Sequence, residues 1–176
     1  MMQIDCGVCT VRTWQHGDEV ALARHANDRE IWLNLRDQFP HPYTIEHGKA
    51  WVALASAENP PTHFAIALEE PVGGIGFELQ GDIGRKSAEI GYWLGAAHWS
   101  KGIMSAAVRA VTDYAFAHFS LTRVFAVPYA TNIASHRVLE KVGYVREGVL
   151  RRSAIKDGAV LDQVVYAMTD RDRAGV

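Results

Sequence analysis

The chain has 176 residues, of which 48% are hydrophobic and 22% are charged, and its formal net charge is −2. This composition is typical of a soluble globular protein, and the length fits one domain, expected over residues 1–176. Nucleic-acid-binding proteins usually carry a basic stripe, so the near-neutral charge argues against a nucleic-acid partner.

The N-terminal segment, MMQIDCGVCTVRTW, lacks a basic stretch followed by an apolar core, so no signal peptide is predicted. No run of about 18 apolar residues occurs, so no membrane-spanning helix is expected. Cys6 and Cys9 lie in what reads as an extended first strand, where their side chains would point to opposite faces. We therefore expect neither a disulfide nor a zinc site, and we expect a cytoplasmic protein. The histidines are scattered without ligand spacing, and no metal is predicted.

The first half of the chain alternates helical and extended patterns. Residues 7–14 read as a strand, 18–27 as a helix and 28–42 as irregular. Thr44 is a candidate cap for a helix that runs to about residue 57, where Asn59-Pro60-Pro61 stops it. Residues 63–68 and 72–79 follow as a hairpin.

The second half predicts a strand at 88–94, a helix at 100–118, a short buried strand at 122–127 and a helix at 132–142 that Gly143 ends. Residues 145–155 and 161–168 are extended on either side of the turn signal Asp157-Gly158. This order predicts one α/β domain with a mixed sheet, and not a doubly wound parallel fold.

The most informative stretch is residues 88–145, in which a strand runs into a turn holding Lys101 and Gly102 and then into a helix. The first N–H groups of a helix have no intrahelical partner, so this arrangement makes a socket for an anionic phosphate group. It predicts a phosphorylated cofactor. A nucleotide-binding P-loop is excluded because no GxxxxGK[ST] motif follows a strand.

Several segments in this order resemble the GCN5-related N-acetyltransferase (GNAT) superfamily, above all its RimJ/RimL-type branch, which acetylates the N-termini of ribosomal proteins. They are GYWL (91–94), WSKGIMS (99–105), NIASHRVLEKVGYV (132–145) and DQVVYAM (162–168). His98 or Trp99 stands where the family's phosphate motif usually has Arg or Gln, which is a departure. The resemblance implies a mixed, mostly antiparallel seven-stranded sheet, splayed at its central strands and flanked by about four helices.

The resemblance implies acetyl-coenzyme A as cofactor, with its pyrophosphate on the backbone N–H groups of Lys101, Gly102, Ile103, Met104 and Ser105. Gly102 would let the backbone approach the phosphate closely. The Lys101 side chain either neutralises a phosphate or covers the helix N-terminus in solvent, and the sequence leaves both open.

Where the central strand ends, at Trp93 and Leu94, the resemblance implies that the pantetheine arm adds like an extra strand. Backbone N–H groups around Leu94 would then polarise the thioester carbonyl. Trp93 and Trp99 either line the cofactor or acceptor channel or pack in the core.

The resemblance places Asn132 against the coenzyme, although the same side chain is also a plain helix cap. It places the Ser135 hydroxyl near the acetyl sulfur, where it donates a proton to the departing thiolate. The alternative for Ser135 is a bond to its own helix backbone. Arg137 is a candidate contact for the coenzyme phosphates.

Acetylation needs a neutral amine, so a base must take a proton from the acceptor. Glu89, on the central strand beside the splayed region, is the first candidate, and its alternative role is a structural salt bridge. Glu78 and His98 are weaker candidates.

The sequence thus predicts transfer of an acetyl group from acetyl-CoA to a primary amine by direct attack in a ternary complex. The acceptor is either a protein N-terminus or a small molecule. The alternative is a catalytically weak acyl-CoA-binding or sensory module. A homodimer through the last strands is left open.

Overall fold

An eight-stranded sheet runs through the part of the chain that the computed structural model describes, residues 2–173. The strands are β1 (Gln3–Asp5), β2 (Thr10–Thr13), β3 (His63–Ala67), β4 (Pro71–Leu79), β5 (Ser87–Leu94), β6 (Arg123–Ala126), β7 (Val145–Lys156) and β8 (Ala159–Thr169). The helices are α1 (Glu19–Ala26), α2 (Arg29–Trp32), α3 (Ile45–Ser56), α4 (Ile103–Phe119), α5 (Ile133–Val142) and α6 (Asp170–Arg173). Short 3₁₀ turns occupy Asp82–Gly84 and Ala96–His98.

The strands lie in the order β1-β2-β3-β4-β5-β6-β8-β7, and every neighbouring pair is antiparallel except β5 with β6. This confirms the mixed, mostly antiparallel sheet. The sheet has one strand more than the seven expected, because the three-residue β1 is too short to show a periodic pattern. Two of the six helices, α2 and α6, have only four residues each.

Side chains that alternate along the strands form two apolar layers, one on each face of the sheet. In β3, Phe64 and Ile66 belong to a core that includes α4 and α5, whereas Ala65 between them packs with α1 and α3. Successive strand residues point to opposite faces, so each face needs its own helical cover. The sheet is thus buried from both sides around its central strands, where the site lies.

The N-terminal segment corrects one expectation. Residues 7–14 are not one strand, because Gly7 has a positive φ of 77° and lies in the turn between β1 and β2. Cys6 donates its N–H to the Cys9 carbonyl at 2.9 Å, so the two cysteines face each other across this turn. Burial raises the pKa of Cys9 to about 12, which keeps its thiol protonated and unreactive.

Two helix ends follow the sequence pattern closely. The Thr44 hydroxyl accepts from the His47 N–H at 3.3 Å, and the His47 ring accepts from the Thr44 N–H at 3.1 Å, which completes a reciprocal cap at the start of α3. Gly143 ends α5 with a left-handed φ of 104°, as predicted.

Within residues 2–173, none of the helices combines the length and the apolar character needed to span a bilayer. The same residues contain no group of three or more His, Cys, Asp or Glu side chains arranged to hold a metal ion.

The backbones of β4 and β5 lie very close together at Gly73. A Cβ added at Gly73 would lie 2.5 Å from the Trp93 carbonyl oxygen, so Gly73→Ala forces backbone movement. We expect a loss of about 1–3 kcal/mol, measured by thermal unfolding. Gly81→Ala is the control, since nothing lies within 4 Å of its added Cβ. Equal melting temperatures for the two variants would contradict the prediction.

Candidate active site

The central strands β5 and β6 are paired along only part of their length. Their pairing ends at Glu89 and Phe125, whereas β5 continues to Leu94 with only β4 beside it. Pro128 follows β6 and has no N–H for a ladder, and its carbonyl accepts from the Val164 N–H on β8 at 2.9 Å. The chain after β6 is therefore drawn towards β8, and a gap opens beside β5.

Backbone groups of β5 face this gap. The Gly95 N–H donates to the Val72 carbonyl at 2.8 Å, and hydrogen-bonding direction alternates along an antiparallel strand. In the same register Trp93 bonds towards β4, so the backbone groups of Tyr92 and the N–H of Leu94 are directed into the gap. An extended ligand arm can pair with them as an extra strand would.

The N-terminus of α4 has the features of an anion socket. Gly102 precedes the helix with a φ of 77°, and among the described residues no side chain caps this end. The first intrahelical bond runs from the Ala106 N–H to the Gly102 carbonyl at 3.1 Å, so the N–H groups of residues 103–105 have no partner within the helix. Nothing lies within 4 Å of a Cβ built on Gly102, and the space in front of these groups is open. The socket therefore fits a phosphate group.

Two side chains next to this socket have backbone partners. The Lys101 ammonium donates to the Ala97 carbonyl at 2.9 Å, and the Trp99 indole donates to the Leu94 carbonyl at 2.7 Å. Ile103 is buried in the core and anchors the first turn of α4. Met104 and Ser105 are half-buried beside it.

The start of α5 positions a pair of hydroxyl groups. The Asn132 side chain accepts from the Ser135 N–H at 3.1 Å, and the Ser135 hydroxyl lies 2.8 Å from the Tyr92 hydroxyl. Ser135 is buried, and burial raises the pKa of Tyr92 well above its ordinary value. The Tyr92 hydroxyl therefore stays protonated at neutral pH and forms a stable hydrogen bond with Ser135.

A second polar group lies on the opposite face of β5. Glu89 pairs directly with Glu78 across the β4–β5 ladder, and the Arg36 guanidinium contacts Glu89 and lies 4.0 Å from Glu78. The hydrogen bond to Glu89 raises the pKa of Arg36 further, so the guanidinium is charged throughout. This cluster carries one positive and two negative charges.

The gap, the hydroxyl pair and the carboxylates open onto one cavity of about 560 Å³. Its walls include nine aromatic residues, which are Trp14, Phe39, Tyr43, Trp51, Phe64, Phe77, Tyr92, Trp93 and Tyr129. Its floor includes Gly74 and Gly76 on β4 and Gly91 on β5, and Gly76 pairs with Gly91. It is therefore a mainly aromatic channel with its charge concentrated at Arg36, Glu78 and Glu89.

One wall is a loop, residues 33–43, that the tip of the β7–β8 hairpin holds in place. The buried Lys156 ammonium donates to Asp37 at 2.9 Å and lies 3.8 Å from the centre of the Trp32 ring. Arg29 contacts Asp157 at 2.5 Å beside them. These contacts fix the segment that carries Arg36.

The structure brings four of the predicted site residues, Glu89, Trp93, Asn132 and Ser135, to this cavity. The predicted phosphate socket at residues 101–105 and the exposed Arg137 lie outside its lining. His98 lies on the turn that follows β5, and its ring packs edge-on against His25, away from the cavity lining.

Sequence reasoning missed Arg36 and Tyr92. Arg36 belongs to a segment predicted as irregular, and nothing local shows which carboxylates it reaches. The sequence contained a hint for Tyr92, because it lies two residues before Leu94 on the strand that is expected to splay. Its hydroxyl partner, Ser135 on α5, is a long-range contact that the sequence does not show.

Comparison with known proteins agrees with this geometry. The family model of the acetyltransferase (GNAT) domain matches residues 9–145. The uncharacterized N-acetyltransferase p20 of Bacillus licheniformis is 29% identical over 175 residues, covering 94% of this chain and 95% of that protein. The ribosomal-protein-serine acetyltransferase of Escherichia coli (strain K12) is 31% identical over 99 residues, covering 56% of this chain and 55% of that protein.

Among solved structures, Mycobacterium smegmatis RimJ in complex with CoA-disulfide has a TM-score of 0.80 and 26% sequence identity to this chain. The match covers 95% of this chain and 84% of that one. Since the family model spans most of the chain, the chain belongs to the GNAT family of acetyl-CoA-dependent N-acetyltransferases.

Proposed function

We propose that the enzyme binds acetyl-CoA in the gap between β5 and β6 and transfers the acetyl group directly to a primary amine in a ternary complex. The observation that carries this proposal is the placement of a proton donor and a carboxylate on the two sides of one gap. Tyr92 and Ser135 lie on the α5 side, and Glu89 lies on the other.

The cofactor arrangement is supported by the residues that surround the gap. The free N–H groups of residues 103–105 hold the pyrophosphate, and the backbone groups of Tyr92 and Leu94 pair with the pantetheine amides. When bound, acetyl-CoA supplies an activated thioester. The CoA species in the similar RimJ structure is consistent with this assignment.

Proton movements follow from the side chains on each side. Glu89 takes a proton from the acceptor ammonium, directly or through water, and the neutral nitrogen forms the new bond to the acetyl carbon. Ser135 would give its proton to the departing thiolate, and the second proton lost by the acceptor nitrogen would return to Ser135, while the proton taken by Glu89 passes to solvent. Tyr92 would position the Ser135 hydroxyl across their 2.8 Å contact and keep its own proton. Backbone N–H groups near Leu94 stabilise the carbonyl oxygen.

One observation favours the alternative of a catalytically weak acyl-CoA-binding module. Arg36 already contacts the Glu89 carboxylate, so this carboxylate is not free to receive an acceptor ammonium. The enzymatic proposal requires the acceptor ammonium to replace Arg36 at Glu89, with Arg36 retained by Glu78.

The first test is thermal unfolding with acetyl-CoA. At about 100 times its dissociation constant a ligand of the native state adds roughly 2.7 kcal/mol of stability, so the melting temperature should rise clearly. Inorganic phosphate at the same concentration is the control for binding at the socket alone. No rise at saturating acetyl-CoA would overturn the cofactor assignment.

The hydroxyl pair is tested by Tyr92→Phe and Ser135→Ala. Loss of a general acid lowers kcat by roughly 10² to 10⁴, and we expect a loss within that range for Ser135→Ala and a smaller one for Tyr92→Phe. Thiol release under saturating acetyl-CoA measures both. Tyr144→Phe is the matched control, because its buried hydroxyl bonds to Thr112 at 2.7 Å outside the cavity. Unchanged turnover in both site variants would remove the pair from the mechanism.

The base is tested by Glu89→Gln, which keeps the size of the side chain and removes its charge. We expect kcat to fall by about 10² or more while the acetyl-CoA-induced rise in melting temperature persists. Glu147→Gln is the control, since Glu147 also pairs with an arginine, Arg123, but lies outside the cavity lining. Full turnover in Glu89→Gln would favour a water-mediated base elsewhere.

A further inference from the structure

We propose that the acceptor is a primary amine with a single positive charge and a bulky apolar or aromatic body, bound along the glycine floor of the cavity. This inference rests on the proposed function, because it names the substrate class of the same site. It distinguishes this enzyme from acetyltransferases that act on polyamines or on N-termini with small side chains.

The charge of the cavity suits one ammonium group. Among the described residues that line it, the charged side chains are Arg36, Glu78 and Glu89, which sum to −1. His63 also lines the cavity, and its ring nitrogen is hydrogen-bonded to Glu58 at 2.6 Å, outside the cavity lining. A polyamine would bring two or more further positive charges against aromatic walls that offer no carboxylate, and an acidic acceptor would be repelled.

The ammonium belongs at the glutamate end. The pairing of β5 with β6 stops at Glu89, so an amine held by Glu89 lies beside the opening of the gap. There it is next to the site proposed for the thioester. The guanidinium of Arg36 marks this position, since it is a cation already held by the same two carboxylates.

The body of the acceptor then extends over the bare floor. On this sheet face β5 presents Glu89, Gly91 and Trp93, and the paired β4 residues opposite Glu89 and Gly91 are Glu78 and Gly76. Trp93 follows Glu89 by four positions, or roughly 13 Å at about 3.3 Å per residue. Nothing lies within 4 Å of a Cβ built on Gly91, whereas the His63 ring covers Gly76 and the Trp93 ring covers Gly74, so the open part of the floor is at Gly91.

The far end of this floor is aromatic. The Phe39 ring lies 5.0 Å from the Tyr43 ring and 5.8 Å from the Trp93 ring, centre to centre. Trp14 and Trp51 complete this end of the cavity. Such a wall binds apolar or aromatic groups through burial and ring contacts, and it offers a small or polar acceptor little.

The test compares kcat/KM for tryptamine, ethylamine and spermidine at saturating acetyl-CoA. We expect tryptamine to exceed both others by about tenfold or more, since discrimination by an apolar pocket reaches this range. The tripeptides Trp-Ala-Ala and Ser-Ala-Ala separate the two sources of such an amine. Preference for Trp-Ala-Ala over tryptamine identifies a peptide N-terminus, and the reverse identifies a free amine. Highest activity with spermidine, ethylamine or Ser-Ala-Ala overturns the inference.

The variant Gly91→Val tests where the acceptor body lies. The Cβ of the new side chain meets nothing within 4 Å and the side chain occupies space above Gly91, so the ratio of kcat/KM for tryptamine to that for ethylamine should fall about tenfold. Gly148→Val on β7 is the matched control, because a Cβ there also meets nothing within 4 Å and Gly148 lies outside the cavity. An unchanged ratio in Gly91→Val overturns the placement.

Failure of the inference is distinct from failure of the proposed function. Acetylation of the small amine or spermidine without preference for tryptamine leaves the acetyltransferase proposal standing and overturns only the substrate class. Absence of turnover with every amine, together with no stabilisation by acetyl-CoA, overturns both.

Discussion

The site depends on hydrogen-bonding groups of β5 that have lost their neighbouring strand. Backbone N–H and C=O groups inside a sheet need partners, and beyond Glu89 the strand β6 no longer supplies them. Pro128 cannot extend the ladder, and β8 holds the chain that follows β6 through the Val164 contact. The sheet therefore contains a slot whose lining already has the pattern of a missing strand, and an amide-bearing arm is the natural ligand for it.

The slot also makes both faces of β5 accessible from one cavity. Side chains of one strand alternate between the two faces of a sheet, so Tyr92 and Glu89 lie on opposite faces of β5. In a closed sheet these faces would be sealed from each other. Where β5 stands alone on one side, the cavity reaches both faces, so the Tyr92 hydroxyl on one face and the Glu89 carboxylate on the other border the same space.

Much of the fold follows from local patterns. Alternation predicted β3, β4 and β5 within a few residues, and the helical period predicted α4, because each element buries a face that its sequence displays. The prediction of a single strand over residues 7–14 was wrong, since Gly7 has a positive φ and permits a turn that alternation alone does not reveal. For the site, the resemblance supplied Asn132 and Ser135 as candidates, and the place of Glu89 on the central strand made it the first candidate base. These three residues line one cavity.

Contacts between segments that are distant in the chain could not be predicted from the sequence. The glycines that form the cavity floor are ordinary strand residues until the register between β4 and β5 aligns Gly76 with Gly91. Arg36 lies 53 residues before its partner Glu89, and only the packed loop shows the pairing. Charge balance in the cavity is thus a property of the assembled fold and is not encoded in any one motif.

The buried ammonium of Lys156 has a mechanical consequence. It lies between the carboxylate of Asp37, in the 33–43 loop, and the ring of Trp32, at the end of α2, so moving residues 32–37 away from the hairpin tip would remove both contacts. The Lys156 side chain is almost fully buried, so leaving its ammonium without a partner is unfavourable, whereas the largely exposed Asp37 can return to water. The wall that faces the acceptor is therefore a stiff part of the scaffold, and the shape of the channel is set before any amine arrives.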